Sequence, residues 1–146
     1  MNEKIKVEIV KPSGDKAAAA NTNIEQLKCL YKDAGWWSED DNTEPDLISK
    51  LMQGSFCFAV ASINDSLVGM GRAISDGVSD AYIQDVAVLS KFRGRGIGIL
   101  IMDELINYLK SKKINWIGLI SEPKAHSFYQ RYGFSRMAGY VPFILK

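Results

Sequence analysis

Arg93-Gly94-Arg95-Gly96-Ile97-Gly98 has the composition of an anion site. Glycines let the backbone come close to a bound group, and the two arginines bring full positive charge. Directly after it, Ile97, Ile101, Leu105 and Leu109 recur at helical spacing, with Asp103, Glu104, Asn107 and Lys110 on the opposite face. The first N–H groups of such a helix have no internal partners, and its dipole adds partial positive charge at the same end. A pyrophosphate fits that arrangement. Two other phosphate-binding patterns do not match. A Walker loop requires Gly-Lys, which the chain lacks, and a dinucleotide fingerprint requires GxGxxG, whereas position 99 here is isoleucine.

Other side chains could also do chemistry. His126 is the single histidine, and the ordinary pKa of its ring suits proton transfer. It stands three residues before Tyr129 on one helical stretch. By residue type alone Tyr129 is either a core aromatic or a hydroxyl donor. Trp36 and Trp37 precede the acidic Glu39, Asp40, Asp41 and Glu44. Aromatic faces can enclose a cation and nearby acids attract an amine. The plainer alternative is one buried tryptophan anchoring a helix beside a solvated loop. Cys29 and Cys57 have neither CxxC spacing nor a histidine set, so no zinc site and no disulfide scaffold is expected. Both are expected to be reduced and buried.

These residues need a scaffold. Ile5, Val7 and Ile9 alternate as in a half-buried strand, and Pro12 to Asp15 breaks it. Thr22 or Asn23 can cap a helix through Ile24, Leu27, Leu30 and Tyr31 that stops at Gly35. Ala17 to Ala20 is a short alanine run, and Pro45 can open a second helix carrying Leu47, Ile48, Leu51 and Met52. Strands are predicted over 55–62, 67–75 and 81–89, with turns at Asn64-Asp65 and Asp76-Gly77. After the helix at Ile97, a short strand is expected from Trp116 to Ile120 and a helix from Pro123 to Tyr132. Phe134 onward, with Tyr140 to Leu145, should supply one or two closing strands.

The chain has 146 residues, 47% hydrophobic and 24% charged, which suits one soluble α/β domain spanning 1–146 with a mixed sheet. A net charge of +1 offers no general attraction to nucleic acid or to an anionic membrane, so neither is expected as a partner. The first residues lack the apolar run of a signal peptide, and no segment is apolar enough to span a bilayer. The expected location is the cytoplasm.

At residues 82–98, Arg93-x-x-Gly96-x-Gly98 and the strand Tyr82-Ile83-Gln84-Asp85-Val86-Ala87-Val88 before it resemble the fourth strand, [Q/R]-x-x-G-x-[G/A] loop and third helix of the GNAT (GCN5-related N-acetyltransferase) family. Phe128-Tyr129-Gln130-Arg131-Tyr132-Gly133-Phe134 resembles that family's FYxxxGF segment, in the right order. The resemblance implies an α/β GNAT fold: a mixed, mostly antiparallel sheet flanked by about four helices. It implies transfer of acetyl from acetyl-CoA, as cosubstrate and without a metal, to a primary amine by direct attack in a ternary complex. The loop Arg93, Gly94, Arg95, Gly96, Ile97 and Gly98 would hold the pyrophosphate through backbone N–H groups. The main chain of Val86, Ala87 and Val88 would pair with the pantetheine arm, and the Val86 N–H would stabilise the developing oxyanion. Tyr129 would protonate the departing thiolate. Asp85 is the nearest candidate base, although strand alternation turns it away from Tyr82 and Val86. Trp36, Trp37 and Tyr82 are the candidate acceptor contacts. A small-molecule amine is the expected acceptor and a homodimer through Tyr140 to Leu145 the expected assembly. A protein or peptide acceptor, or a non-catalytic CoA-binding module, stays open at this point.

Overall fold

The computed structural model describes residues 3–14, 22–38 and 46–146. The alanine run at 17–20 and the acidic residues at 39–44 lie outside them. Among the described residues the order is β1 (Ile5–Lys11), α1 (Ile24–Asp33), α2 (Leu47–Gly54), β2 (Cys57–Ile63), β3 (Ser66–Ser75), β4 (Asp80–Val88), α3 (Ile97–Ser111), β5 (Trp116–Gly118) and α4 (His126–Tyr132). The strands form one five-stranded sheet in the order β1-β2-β3-β4-β5, antiparallel except for the parallel β4–β5 pair.

Sequence chemistry accounts for the element ends. Asn23 caps α1, its side chain accepting from the Gln26 N–H at 3.1 Å. Asn64 and Asp65 both take left-handed φ, of 50° and 66°, between the paired Ile63 and Ser66. That is the backbone of a two-residue hairpin turn, where Asn and Asp are tolerated best. At the next turn the Asp76 carboxylate accepts from the N–H groups of Val78 and Ser79 at 2.8 Å, which holds its pKa below the usual value.

Helices cover both faces of the sheet. On one face Cys57, Ala59, Ala61 and Ile63 of β2 meet Ile97, Ile101, Met102, Leu105 and Leu109 of α3. These α3 side chains are at most 1% exposed, and burying each contributes on the order of 1.5–3 kcal/mol. Glycines let α3 come this close. A Cβ on Gly69 would lie 2.8 Å from Ile101, and one on Gly71 would lie 2.9 Å from Ile101 and 3.0 Å from Leu105. On the other face Phe58, Val60 and Met70 pack under Leu27, Leu30 and Tyr31 of α1 and Ile48 and Met52 of α2.

Two expectations need correcting. Residues 135–146 form no strand, and Tyr140, Val141, Phe143, Ile144 and Leu145 stand 66–99% exposed. Their apolar content invites pairing, but no described strand lies against them. Cys29 is exposed, because the helical spacing that buries Leu27 and Leu30 turns position 29 outward. Cys57 is buried, which pushes its thiol up to about 12. No described helix is long and apolar enough to cross a membrane.

Candidate active site

The site begins with a fault in β4. Arg72 of β3 pairs with Gln84, while Met70 pairs with Ala87, so Gly71 alone stands opposite both Asp85 and Val86. This is a β-bulge, and Asp85 carries it at a left-handed φ of 55°. Its Oδ2 accepts from the Tyr31 hydroxyl at 2.7 Å and from Arg72 Nε at 2.7 Å. Arg72 also reaches Ser55 Oγ at 3.4 Å. Burial, and then the charge of Asp85, hold the Tyr31 phenol far above its ordinary value, so it remains a donor. The network ties α1, β3 and the residue after α2 to the bulge.

Beyond the bulge β4 loses its neighbour. β5 pairs with it only at Asp80, Ala81 and Tyr82, opposite Trp116, Ile117 and Gly118. From Ile83 onward no described strand lies against the edge of β4 that faces β5, which leaves a notch beside the stretch Val86 to Val88. Near its far end Arg93 Nε donates to the Val88 carbonyl at 2.9 Å, so that carbonyl already has a partner.

The notch leads to the glycine loop. Ser90–Phe92 forms a single 3-10 turn, and Gly94 and Gly96 follow at φ of 79° and 80°. A Cβ on either would meet nothing within 4 Å. The requirement for glycine there is therefore conformational, and the space beside the backbone is open. Asp33 at the end of α1 steadies the loop, accepting from the Ser90 N–H and hydroxyl at 3.0 Å and pairing with Arg93 at 3.5 Å. Arg95 pairs with Glu3 at 3.2 Å and lies 5.1 Å over the Phe92 ring. Ile97 is buried, so only its backbone faces the loop. Gly98 differs from the other loop glycines: a Cβ there would sit 3.2 Å from the Phe128 ring. It is small so that α4 can approach the start of α3.

Alongside the notch lies a pocket of about 310 Å³, walled by Trp36, Asp85, Val86, Ile120, Glu122 and Tyr129 among others. The Tyr129 ring is set edge-on against Phe128 and Phe134, with centroids 5.1 Å and 6.0 Å away. Burial first, and the negative charge of Glu122 second, raise its phenol pKa. The hydroxyl therefore stays protonated near neutral pH and can donate. Glu122 stands on the turn into α4, where its carbonyl accepts from the Ala125 N–H at 2.9 Å. Its carboxylate accepts from the Trp36 indole N–H at 2.5 Å. No described cation lies within ion-pair distance of it.

The structure thus brings Trp36, Asp85, Val86 and Tyr129 to one pocket and separates the other candidates from it. Trp37 stacks on Tyr31 with centroids 4.3 Å apart and packs into the α1–α2 core. One tryptophan faces the pocket and the other anchors the helix. Tyr82 lies where β4 and β5 still pair, its ring 5.2 Å from Trp116 and outside the pocket wall. His126 is exposed, with Nδ1 2.9 Å from Ser121 Oγ. Sequence reasoning missed Glu122. The available signal was an isolated acid between a predicted strand and the helix of Tyr129.

Known proteins resemble the chain in sequence and in fold. The family model for the Acetyltransferase (GNAT) family matches residues 23–134. The "Uncharacterized N-acetyltransferase ycf52" of Porphyra purpurea is 34% identical over 117 residues, which cover 78% of this chain and 66% of that protein. "Serotonin N-acetyltransferase 2, chloroplastic" of Oryza sativa subsp. japonica is 37% identical over 68 residues, covering 47% of this chain and 34% of that protein. The chain thus spans just under two thirds, or less, of these relatives' own length. A GNAT family acetyltransferase from Streptococcus pneumoniae superposes with a TM-score of 0.77 at 23% identity, over 98% of each chain, and so shares the fold. From the matched model, which takes in α1 through α4 with the bulged strand and the glycine loop between them, the chain belongs to the GNAT acetyltransferase family.

Proposed function

We propose that the chain is an acetyl-CoA-dependent N-acetyltransferase that acts on a small primary amine by direct transfer within a ternary complex. One observation carries this reading: the unpaired edge of β4 runs from the Tyr129 pocket to the open side of Gly94 and Gly96. A long ligand with a phosphate end, an amide-bearing arm and a reactive tip would meet suitable chemistry along that line. The loop N–H groups and the start of α3 suit the pyrophosphate. Ala87 turns its main-chain groups toward Met70 of β3, so the outward main-chain groups of Val86 beside it are the ones that suit an amide of the arm.

Acetyl-CoA supplies the acetyl thioester when bound. The Val86 N–H, just past the bulge, is the donor for the carbonyl oxygen as negative charge develops on it. The acceptor nitrogen forms a bond to the carbonyl carbon, and the carbon–sulfur bond breaks. Tyr129 gives its hydroxyl proton to the departing sulfur and regains one, through water, from the nitrogen as the amide forms. Glu122 holds the incoming ammonium and takes a proton from it, directly or through water. Asp85, tied to Arg72 and Tyr31, acts as a positioning residue that shapes the bulge.

The pocket wall suggests the acceptor class. Trp36 offers an aromatic face and Glu122 an adjacent negative charge, a pairing that suits an amine carried on a ring. The rice relative's name makes serotonin the first acceptor to try. The deciding experiment follows release of the CoA thiol from acetyl-CoA against arylalkylamines, polyamines, amino sugars, amino acids and peptides. Turnover with arylalkylamines is the expected result. Turnover with peptides alone would replace the small-amine reading, and CoA binding without turnover on any acceptor would replace catalysis with a regulatory role.

A further inference from the structure

The wall of the acceptor pocket carries a charge that no described group around it cancels. It holds two carboxylates, Asp85 and Glu122, and no Lys, Arg or His. Asp85 is answered by Arg72, whose Nε lies 2.7 Å from Oδ2 and whose side chain is only 12% exposed. That guanidinium is engaged by Asp85 and Ser55 and stands outside the wall. Glu122 has a neutral partner instead, the Trp36 indole N–H, which adds no charge. The Tyr129 phenol is neutral as well. In the sequence around Trp36, residues 35–49 include Glu39, Asp40, Asp41, Glu44 and Asp46 but no Lys, Arg or His. Among the described residues, the negative charge of Glu122 therefore faces whatever the pocket holds.

That charge separates two kinds of amine that a ring and a nitrogen alone do not. An ammonium with no other charge is attracted to Glu122 and can lay its ring against Trp36. An α-amino acid brings a carboxylate two bonds from the same nitrogen. Seating that nitrogen beside Glu122 seats a second negative charge there too, and no cation in the wall pairs with it. The Trp36 N–H is already given to Glu122, and in the proposed reaction the Val86 N–H serves the carbonyl oxygen. Such a site rejects the wrong ligand by repulsion and by leaving a polar group unpaired. Glu122 is exposed to water, which screens part of the effect.

We propose that Glu122 determines specificity by charge: the pocket takes aromatic amines that carry no carboxylate and rejects the α-amino acids with the same side chains. This deepens the small-amine reading and rests on it. It also gives the chain a place in a reaction sequence. The acceptor has the skeleton of an aromatic amino acid less its carboxyl group, so the reaction that supplies it is a decarboxylation. In that step the bond from Cα to the carboxyl carbon breaks, carbon dioxide leaves, and a proton takes its place on Cα. Acetylation then removes the charge on which recognition depends, because an amide nitrogen is neutral. The product is thereby released from the attraction that held its substrate.

Matched acceptors test this: tryptamine with tryptophan, tyramine with tyrosine, and tryptophanamide, which keeps the bulk of tryptophan without its negative charge. Release of the CoA thiol gives kcat/KM, and calorimetry on the CoA-loaded chain gives affinity where there is no turnover. Each amine should exceed its amino acid by at least about 30-fold, and tryptophanamide should come within about tenfold of tryptamine. In Glu122→Gln the ratio of tryptamine to tryptophan should narrow at least about fivefold. Loss of proton transfer lowers both acceptors alike, so a residue acting only as a base would leave this ratio unchanged. Equal use of amine and amino acid overturns the proposal. So does tryptophanamide as poor as tryptophan, which would make bulk the cause, and so does an unchanged ratio in the variant. Amines that bind selectively without turnover would sink the catalytic reading and support this one. Failure of every amine to bind would sink both.

Discussion

Tyr129 and Glu122 share a pocket wall, and the mechanism proposed above uses them in opposite senses. Burial and the neighbouring carboxylate keep the Tyr129 proton on its oxygen, whereas Glu122 has an indole N–H as its described side-chain partner and no described counter-ion. On the proposed mechanism the first gives a proton and the second attracts a cation. Tyr129→Phe keeps the ring between Phe128 and Phe134 and removes only the donor. Acetyl-CoA affinity should stay within a few-fold while kcat falls by roughly 10- to 1,000-fold, provided that chemistry limits the rate. Normal turnover would make Tyr129 a packing residue. Glu122→Gln still accepts from Trp36 but loses its charge. Here kcat/KM for the amine should fall by roughly 100-fold with CoA binding unchanged, as calorimetry and steady-state kinetics would show. Equal kinetics would remove Glu122 from the reaction. The FYxxxGF likeness pointed to Tyr129 in the sequence, and the structure puts its side chain on the pocket wall. Glu122 was not, because a carboxylate on a turn looks like any solvated acid until the indole of Trp36 is seen across from it.

At the scale of elements, the bulge in β4 separates what periodicity can tell from what it cannot. The strand, the loop and α3 follow directly from hydrophobic spacing and glycine placement. Strict alternation fails at Asp85, because two residues of β4 stand opposite one of β3. No pattern of period two contains that extra residue, so the carboxylate's ties to Tyr31 and Arg72 were out of reach. Asp85→Asn separates the two roles offered for this residue. Asparagine tolerates the left-handed backbone but leaves Arg72, only 12% exposed, without its counter-charge. Breaking a fully buried pair costs roughly 3–5 kcal/mol, and the partial exposure here lowers the expected loss to about 2 kcal/mol in denaturant unfolding. The acid side of the pH–rate profile should keep its shape. Its disappearance in a variant of unchanged stability would restore Asp85 as the base.

Across the whole molecule, α3 on one face of the sheet and α1 with α2 on the other leave different surroundings for the two cysteines. The core on the α3 side was readable from the row Ile97, Ile101, Leu105 and Leu109. The absence of closing strands was not, since residue types can signal a strand without saying which chain it pairs with. Cys57 lies within that core with its thiol pushed up to about 12, while Cys29 faces water on α1. A thiol reagent at neutral pH should therefore modify one equivalent quickly in the native protein and a second only after unfolding. Quick loss of both would contradict the burial of Cys57. The unsubstituted chain thus carries its own single attachment point for a dye or spin label. That point lies on the helix whose far end holds both Asp33 at the glycine loop and the approach to Trp36, so a probe at Cys29 would report local motion there as ligands arrive.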